Sequence, residues 1–241
     1  GKIGVVSELY GVTGWDFDFR GHKYQGDWQA ALGITLRVPH LSWVSMRGSA
    51  KRDYPASISY QSSWYREYPM IEDHFARVNT ALTRGEAVVK VAVLHPMRSM
   101  WTLMGDREHN GGLIADLDND FRTLSEWLLR GQIDFDYVRE SLVDEVYEKT
   151  EKGLKMGKMT YDVLVIPPIY TLHSTMQKII EEFLSRGGKV IYTGEIPALT
   201  DGKPSDEPKR IFSKATCVPF DRSAVLREVE CVRDVDVRGE D

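Results

Sequence analysis

Cysteine is nearly absent: only Cys217 and Cys231 occur in 241 residues. Both fall in the C-terminal tail with no ligand spacing around them, which argues against a zinc site and a disulfide framework and leaves two buried free thiols as the expectation. No apolar run approaches the roughly 18 residues of a membrane span, and the N-terminus has no basic-then-apolar leader pattern. These absences point to a soluble protein, cytoplasmic rather than secreted. Neither charge sign dominates: 31 Lys and Arg face 36 Asp and Glu, giving −5, so a basic footprint for nucleic acid is missing. There is no internal repeat and no low-complexity tract. A 42% hydrophobic content is enough for a sizeable core in one large domain or two small ones.

The chain opens Gly1-Lys2-Ile3, without methionine, and the expectation is a piece of something longer. "KIGVVSE" (2–8) is a short β-branched run that reads as a buried strand. "DWQAAL" offers an Asp cap followed by helix formers, and "GITLRVPHLSW" resumes a strand, making a β-α-β unit. Residues 44–69 form a Ser-, Tyr-, Arg- and Pro-rich loop, longer than a neutral connector needs and therefore read as functional. "MIEDHFARVNTALTRG" places Ile71, Phe75, Val78 and Leu82 at helical spacing, with Gly85 as a stop.

A second pattern begins near residue 87. "AVVKVAVLHP" is apolar almost throughout, as suits a strand covered on both faces. A periodic helix follows over 117–129, then strands in "QIDFDYVRE" and "YDVLVIPP", a helix in "TLHSTMQKIIEEFLSRGG" and a strand in "KVIYTGE". Alternating strands and helices of this kind predict a doubly wound, flavodoxin-like parallel sheet. Beyond 200 the sequence turns polar ("TDGKPSDEPKR"), with one short helix near 223–229. The domains so read are 1–86, 87–200 and a polar tail, 201–241.

Glu8 stands where a parallel strand ends, the side of α/β architectures on which ligands collect. It could act as nucleophile or acid/base, or equally be paired with a nearby Arg or Lys. Around it the β-α-β reading gathers Trp15, Asp16, Asp18, Arg20, His22, Trp28, His40 and Trp43. Indole faces suit the C–H surface of a pyranose, and fixed polar groups suit its hydroxyls. The same rings could plug a barrel mouth, and His40 could be a core histidine with one hydrogen bond. His74, beside Asp73, reads as a solvated or packing group, while Arg52 and Asp53 could reach the cleft or stay on the surface. In the second domain "HPMRSMW" lacks the glycine or Ser/Thr cradle a flavin phosphate needs. No cysteine follows "YDVLVIPP", where an amidotransferase nucleophile would stand. No cofactor and no metal are expected, and the second sheet reads as a packing or assembly domain.

Together, "VVSELYG", "DWQAALGITLRVPHLSW", "IEDHFARVNTALTRG" and above all "YDVLVIPPIYTLHSTMQKIIEEFLSRGGKVIYTGE" resemble family 42 glycoside hydrolases and related rhamnosidase-like families over roughly 2–198. The resemblance implies the last βα units of a (β/α)₈ barrel followed by a class I glutamine-amidotransferase-like trimerisation domain. It implies that Glu8 is the nucleophile ending the seventh barrel strand, that the substrate is a carbohydrate, that the N-terminal half of the barrel is a missing partner, and that copies of the chain associate. "GVTGWDFDFRGHK" departs from the usual sequence after that nucleophile, so the sugar stays open. A barrel needs about 250 residues, only some 85 precede the second sheet, and the chain alone is expected to be inactive. Two alternatives stand beside this reading: an α/β protein without catalysis whose aromatic loop binds carbohydrate or protein, and an amidotransferase-like enzyme.

Overall fold

A computed structural model describes residues 4–49 and 56–237. The chain divides into two compact units, 1–87 and 88–241.

In the first unit, β1 (Val6–Leu9) and β2 (Leu36–Pro39) pair in parallel, with Val6 opposite Leu36 and Glu8 opposite Val38. Between them runs α1 (Phe19–Ala31), and α2 (Pro69–Leu82) follows. The sequence places a helix start at Asp27, whereas α1 begins a full eight residues earlier, capped by Asp18, whose side chain accepts from the Gly21 N–H at 2.9 Å. Its periodicity is hidden by polar and glycine residues, and one of these has a packing role. A Cβ on Gly26 would lie 2.1 Å from the Phe75 ring, so the glycine is what lets α1 approach α2. Ile71 and Phe75 are buried and Val78 packs against them, as the helical spacing requires, but Leu82 in the last turn is exposed.

Successive residues of a strand face opposite sides. Leu9 packs with Tyr10, Phe17 and Ala56, and the Arg37 guanidinium lies 3.8 Å over the Phe75 ring. The opposite side carries Val6, Leu36 and Val38, which are 61, 53 and 49% exposed. Parallel strands are normally covered on both faces; among the described residues of this unit only one face is.

The second unit begins with β3 (Val91–His95), α3 (Met97–Met104), α4 (Arg107–Arg130) and β4 (Phe135–Arg139). After a 3₁₀ turn come α5 (Val143–Val146) and the antiparallel strands β5 (Tyr147–Glu148), β6 (Leu154–Met156) and β7 (Met159–Tyr161). Then follow β8 (Val163–Ile166), β9 (Thr171–Leu172), α6 (Ser174–Ser185), β10 (Lys189–Thr193), β11 (Leu199–Thr200), β12 (Lys203–Pro204), α7 (Glu207–Phe212), β13 (Thr216–Val218) and α8 (Arg222–Val229).

Strands β4, β3, β8, β10 and β13 lie side by side in that order, all parallel. Numbered along the chain this is 2-1-3-4-5, a doubly wound sheet. Alternate residues feed two cores. Ala92, Leu94, Leu164, Ile166 and Val190 pack with Met176, Ile180 and Phe183 of α6 and with Ile211 and Phe212. Val91, Val93, Val163, Val165 and Ile191 pack with Leu124 and Leu128 of α4 and Val225 and Val229 of α8. Two covered faces explain why these strands read as unbroken apolar runs.

Several expectations need correction. The segment 201–241, read as a polar tail, supplies β13 to the sheet and α7 and α8 to its cores. Helix α4 extends ten residues before 117, from an Asp106 cap through Gly111-Gly112, because only its C-terminal half carries the apolar stripe that marks it in the sequence. Both cysteines are exposed, not buried: β13 is an edge strand, and Cys231 sits in a surface turn. Among the described residues no helix is long and apolar enough to cross a membrane.

Candidate functional site

Glu8 and His40 come together at the carboxyl ends of β1 and β2. The two strand ends are tied by the His40 N–H donating to the Leu9 carbonyl at 2.7 Å. Glu8 shares its side of the sheet with Val6, Leu36 and Val38, and His40, two residues after Val38, follows on that side. His40 Nε2 stands 3.9 Å from Glu8 Oε1, too long for a hydrogen bond and close enough for a charge interaction. The Glu8 side chain is 65% exposed and faces no guanidinium within ion-pair distance among the described residues. Directly beyond it the backbone is strained: Tyr10 and Val12 have φ of 69° and 58°. For a β-branched residue that is a true outlier, of the kind that gathers at functional sites.

The strain at Tyr10 is held by a buried network. Its hydroxyl donates to the His22 carbonyl at 3.2 Å and accepts from Arg37 at 3.1 Å, while Arg37 also donates to Glu72 at 2.8 Å. Burial pushes the Tyr10 phenol above its ordinary pKa, with the Arg37 charge opposing. Arg37 and Tyr10 organise the turn after Glu8, yet nothing in the sequence marked them: an arginine facing inward from a strand has no local signature.

The other expected sugar contacts separate into three groups. His22 is fully buried, its ring 4.4 Å from Tyr10 and 4.6 Å from Phe17, with Nδ1 donating to the Asp18 carbonyl at 2.7 Å. Burial lowers its pKa, and it is a core histidine; the sequence placed it in a loop because the start of α1 was not legible. Asp18 caps α1, and Trp28 lies on that helix, 58% exposed; Asp16 and Arg20 are exposed. Trp15 lines an open cleft of about 630 Å³ with Met46, Tyr60, Gln61 and Trp64. Trp43 adjoins it through its carbonyl, which accepts from Gln61. This is the work of the long loop: Tyr60 donates to the Val44 carbonyl at 2.6 Å, Ser57 to the Phe17 carbonyl at 2.7 Å, and Trp64 Nε1 to the Ser57 carbonyl at 2.9 Å. Glu8 and His40 are not in the lining of that cleft. His74 Nε2 donates to the Asp27 carboxylate at 2.6 Å, tying α2 to α1. Arg52 and Asp53 lie outside the described residues. Among the described residues no cluster of three His, Cys, Asp or Glu is placed to hold a metal ion.

No protein-family model matches the sequence, and no curated protein matches it. Solved structures share its fold. A rhamnosidase from Novosphingobium sp. PP1Y superposes with a TM-score of 0.57 at 15% identity, over 96% of this chain and 23% of that one. A GH42 beta-galactosidase from G. stearothermophilus gives 0.54 at 14% identity, over 77% and 25%. An apo exo-carrageenase GH42 from Bacteroides ovatus gives 0.50 at 12% identity, over 88% and 27%. The chain thus spans about a quarter of the length of each of these glycoside hydrolases.

Proposed function

We propose that this chain belongs to a glycoside hydrolase and carries its nucleophile, Glu8. The observation that supports this most directly is the side on which Glu8 stands: an exposed carboxylate, beside His40, at the end of a parallel strand pair whose same face offers Val6, Leu36 and Val38 to a missing cover. Further barrel strands would supply that cover, closing the face and making Glu8 part of a walled site. The likeness in fold to a rhamnosidase and to GH42 enzymes agrees with this reading.

In the reaction so proposed, the Glu8 carboxylate attacks the anomeric carbon while a second carboxylic acid protonates the leaving oxygen. Water then releases the covalent glycosyl intermediate, with the second group acting as base. The two carboxyl groups of such a mechanism stand about 5–5.5 Å apart, and the second would come from a barrel strand outside this sequence. His40 would orient Glu8 or meet a sugar hydroxyl. The second unit, in the amidotransferase-like role, would pack or assemble copies and take no part in bond cleavage.

The test is turnover of nitrophenyl glycosides. The 241-residue chain alone is expected to show none, whereas joined to the remaining barrel it hydrolyses them and Glu8→Gln lowers kcat by a factor on the order of 10⁴. Robust hydrolysis by the isolated chain, or full activity of the joined Glu8→Gln variant, overturns the assignment. The Trp15–Tyr60–Trp64 cleft favours one second reading, a carbohydrate-binding surface without catalysis, which predicts sugar binding and no turnover even when the barrel strands are joined.

A further inference from the structure

The strand order of the second unit reverses between β3 and β8, and in doubly wound sheets the crevice outside the carboxyl ends of two such strands is where ligands bind. A cavity of about 220 Å³ is lined by segments that follow the carboxyl ends of β3, β8 and β10. After β3, α3 contributes Arg98, Trp101 and Thr102; after β8 come Thr171 and His173, and after β10 come Asp201 and Gly202.

Each polar group reaches the cavity for a definable reason. Asp201-Gly202 is the two-residue turn of the β11–β12 hairpin, and both have positive φ, 51° and 75°, the type I′ geometry that an Asp-Gly pair favours. The Asp201 carboxylate accepts from the Ser174 N–H at 3.1 Å, and His173 Nε2 lies 3.6 Å away. Burial works against its charge, but the Ser174 hydrogen bonds and the His173 and Arg98 charges hold its pKa below the usual range. His173 is anchored from behind, its backbone N–H donating to the buried Glu140 at 2.7 Å. Arg98 lies over Trp101, its guanidinium 6.0 Å from the ring. Arg98 Nε and His173 Nδ1 have no hydrogen-bond partner among the described residues.

The cavity therefore holds the Arg98 guanidinium and the Asp201 carboxylate with no ion pair between these two among the described residues, His173 beside the carboxylate, and a half-exposed indole. A carboxylate ligand would meet Arg98 but also Asp201. A cation would meet Asp201 but also Arg98. A neutral polyol meets both, because each hydroxyl donates to the carboxylate and accepts from the guanidinium, and the C–H face of a pyranose suits the indole. We infer that the Arg98–Trp101–His173–Asp201 cavity is a binding site for a single neutral pyranose, separate from Glu8. The site gives the second unit a function other than packing, and it stands whether or not Glu8 cleaves glycosidic bonds, since the cavity lies wholly within 88–241.

The test is an NMR titration of the 241-residue chain with the methyl pyranosides of galactose, glucose and rhamnose, reading the Trp101 indole N–H identified through Trp101→Phe. At least one pyranoside is expected to shift that resonance saturably, with a dissociation constant on the order of millimolar. Asp201→Asn keeps the turn as Asn-Gly while removing the charge, and Arg98→Gln removes the guanidinium. Each should weaken binding at least about tenfold, the scale of one hydrogen bond to a charged group, while Glu8→Gln leaves it unchanged. The inference is overturned if no pyranoside shifts the resonance saturably, if both variants bind as the wild type does, or if glycine or acetate saturates the same resonance more tightly than every pyranoside.

Discussion

The two units carry parallel sheets that differ in their cover. In 88–241 the strands send alternate residues into two cores, so Val93 and Val165 are fully buried on one side and Leu94 and Leu164 on the other. In 1–87 one side of the β1–β2 pair packs on Phe75, Tyr10 and Phe17, and the other leaves Val6, Leu36 and Val38 exposed. Cover also decides the state of the carboxylate beyond a strand. Glu140, after β4, is buried and held near neutrality, its pKa pushed up to about 7 by burial with the His173 N–H and the Arg98 charge opposing. Glu8 at the end of β1 is open. A strand end thus yields a buried acid or an open carboxylate according to what lies over it.

The largest expected effect sharpens this contrast. The raised pKa of Glu140 means that the folded state holds its proton more tightly than the unfolded chain. Stability should be fully present below the ordinary value of 4.5 and fall as pH rises to about 7, by about 3 kcal/mol in total. Glu140→Gln removes the dependence, so urea unfolding should find it about that much more stable than the wild type at pH 8 and little different at pH 4.5. Glu8→Gln should shift neither curve by more than about 0.5 kcal/mol. An unchanged pH profile in Glu140→Gln would break the contrast.

A smaller effect compares the sheets themselves. Val165→Thr places a hydroxyl in a closed core and should cost about 1–3 kcal/mol. Val38→Thr, of the same shape on the open face, should cost under about 0.5 kcal/mol in this chain. Thermal denaturation of the two variants checks the difference, and equal losses would mean that the Val38 face is already covered. A last, modest loss should be common to both units: Asp18→Ala and Asp221→Ala each remove a side-chain cap, from Gly21 and Ala224 respectively, at about 1 kcal/mol each.

Legibility followed the same division. The strands of the second unit stand out in the sequence because burial on both faces imposes apolar residues at every position, and α6 because its one buried face imposes a helical stripe. Helix α3 is short, and only Ser99 and Leu103 are buried in it, too few to set a period. The β11–β12 hairpin read as a polar loop although "TDGK" holds its turn signal, since strands of two residues carry no alternation. In the first unit the candidacy of Glu8 and His40 followed from strand ends alone. His22 and Asp18 were read as loop residues, because a helix start set by one aspartate cap and a glycine contact leaves no mark in hydrophobicity.

By itself the sequence determined the strands and helices whose side chains answer to local burial, the division near residue 87, and the position of an acid at the end of the first strand. Tertiary structure alone decided that the polar C-terminal segment completes the second sheet, that Arg37 clamps the Tyr10 turn, and that Arg98 and Asp201, a hundred residues apart, share one cavity. The physical reason is range. Periodicity records the environment a residue meets within its own element, whereas a charge pair, a close glycine contact or an uncovered face depends on which distant element arrives, and that is fixed only when the chain packs.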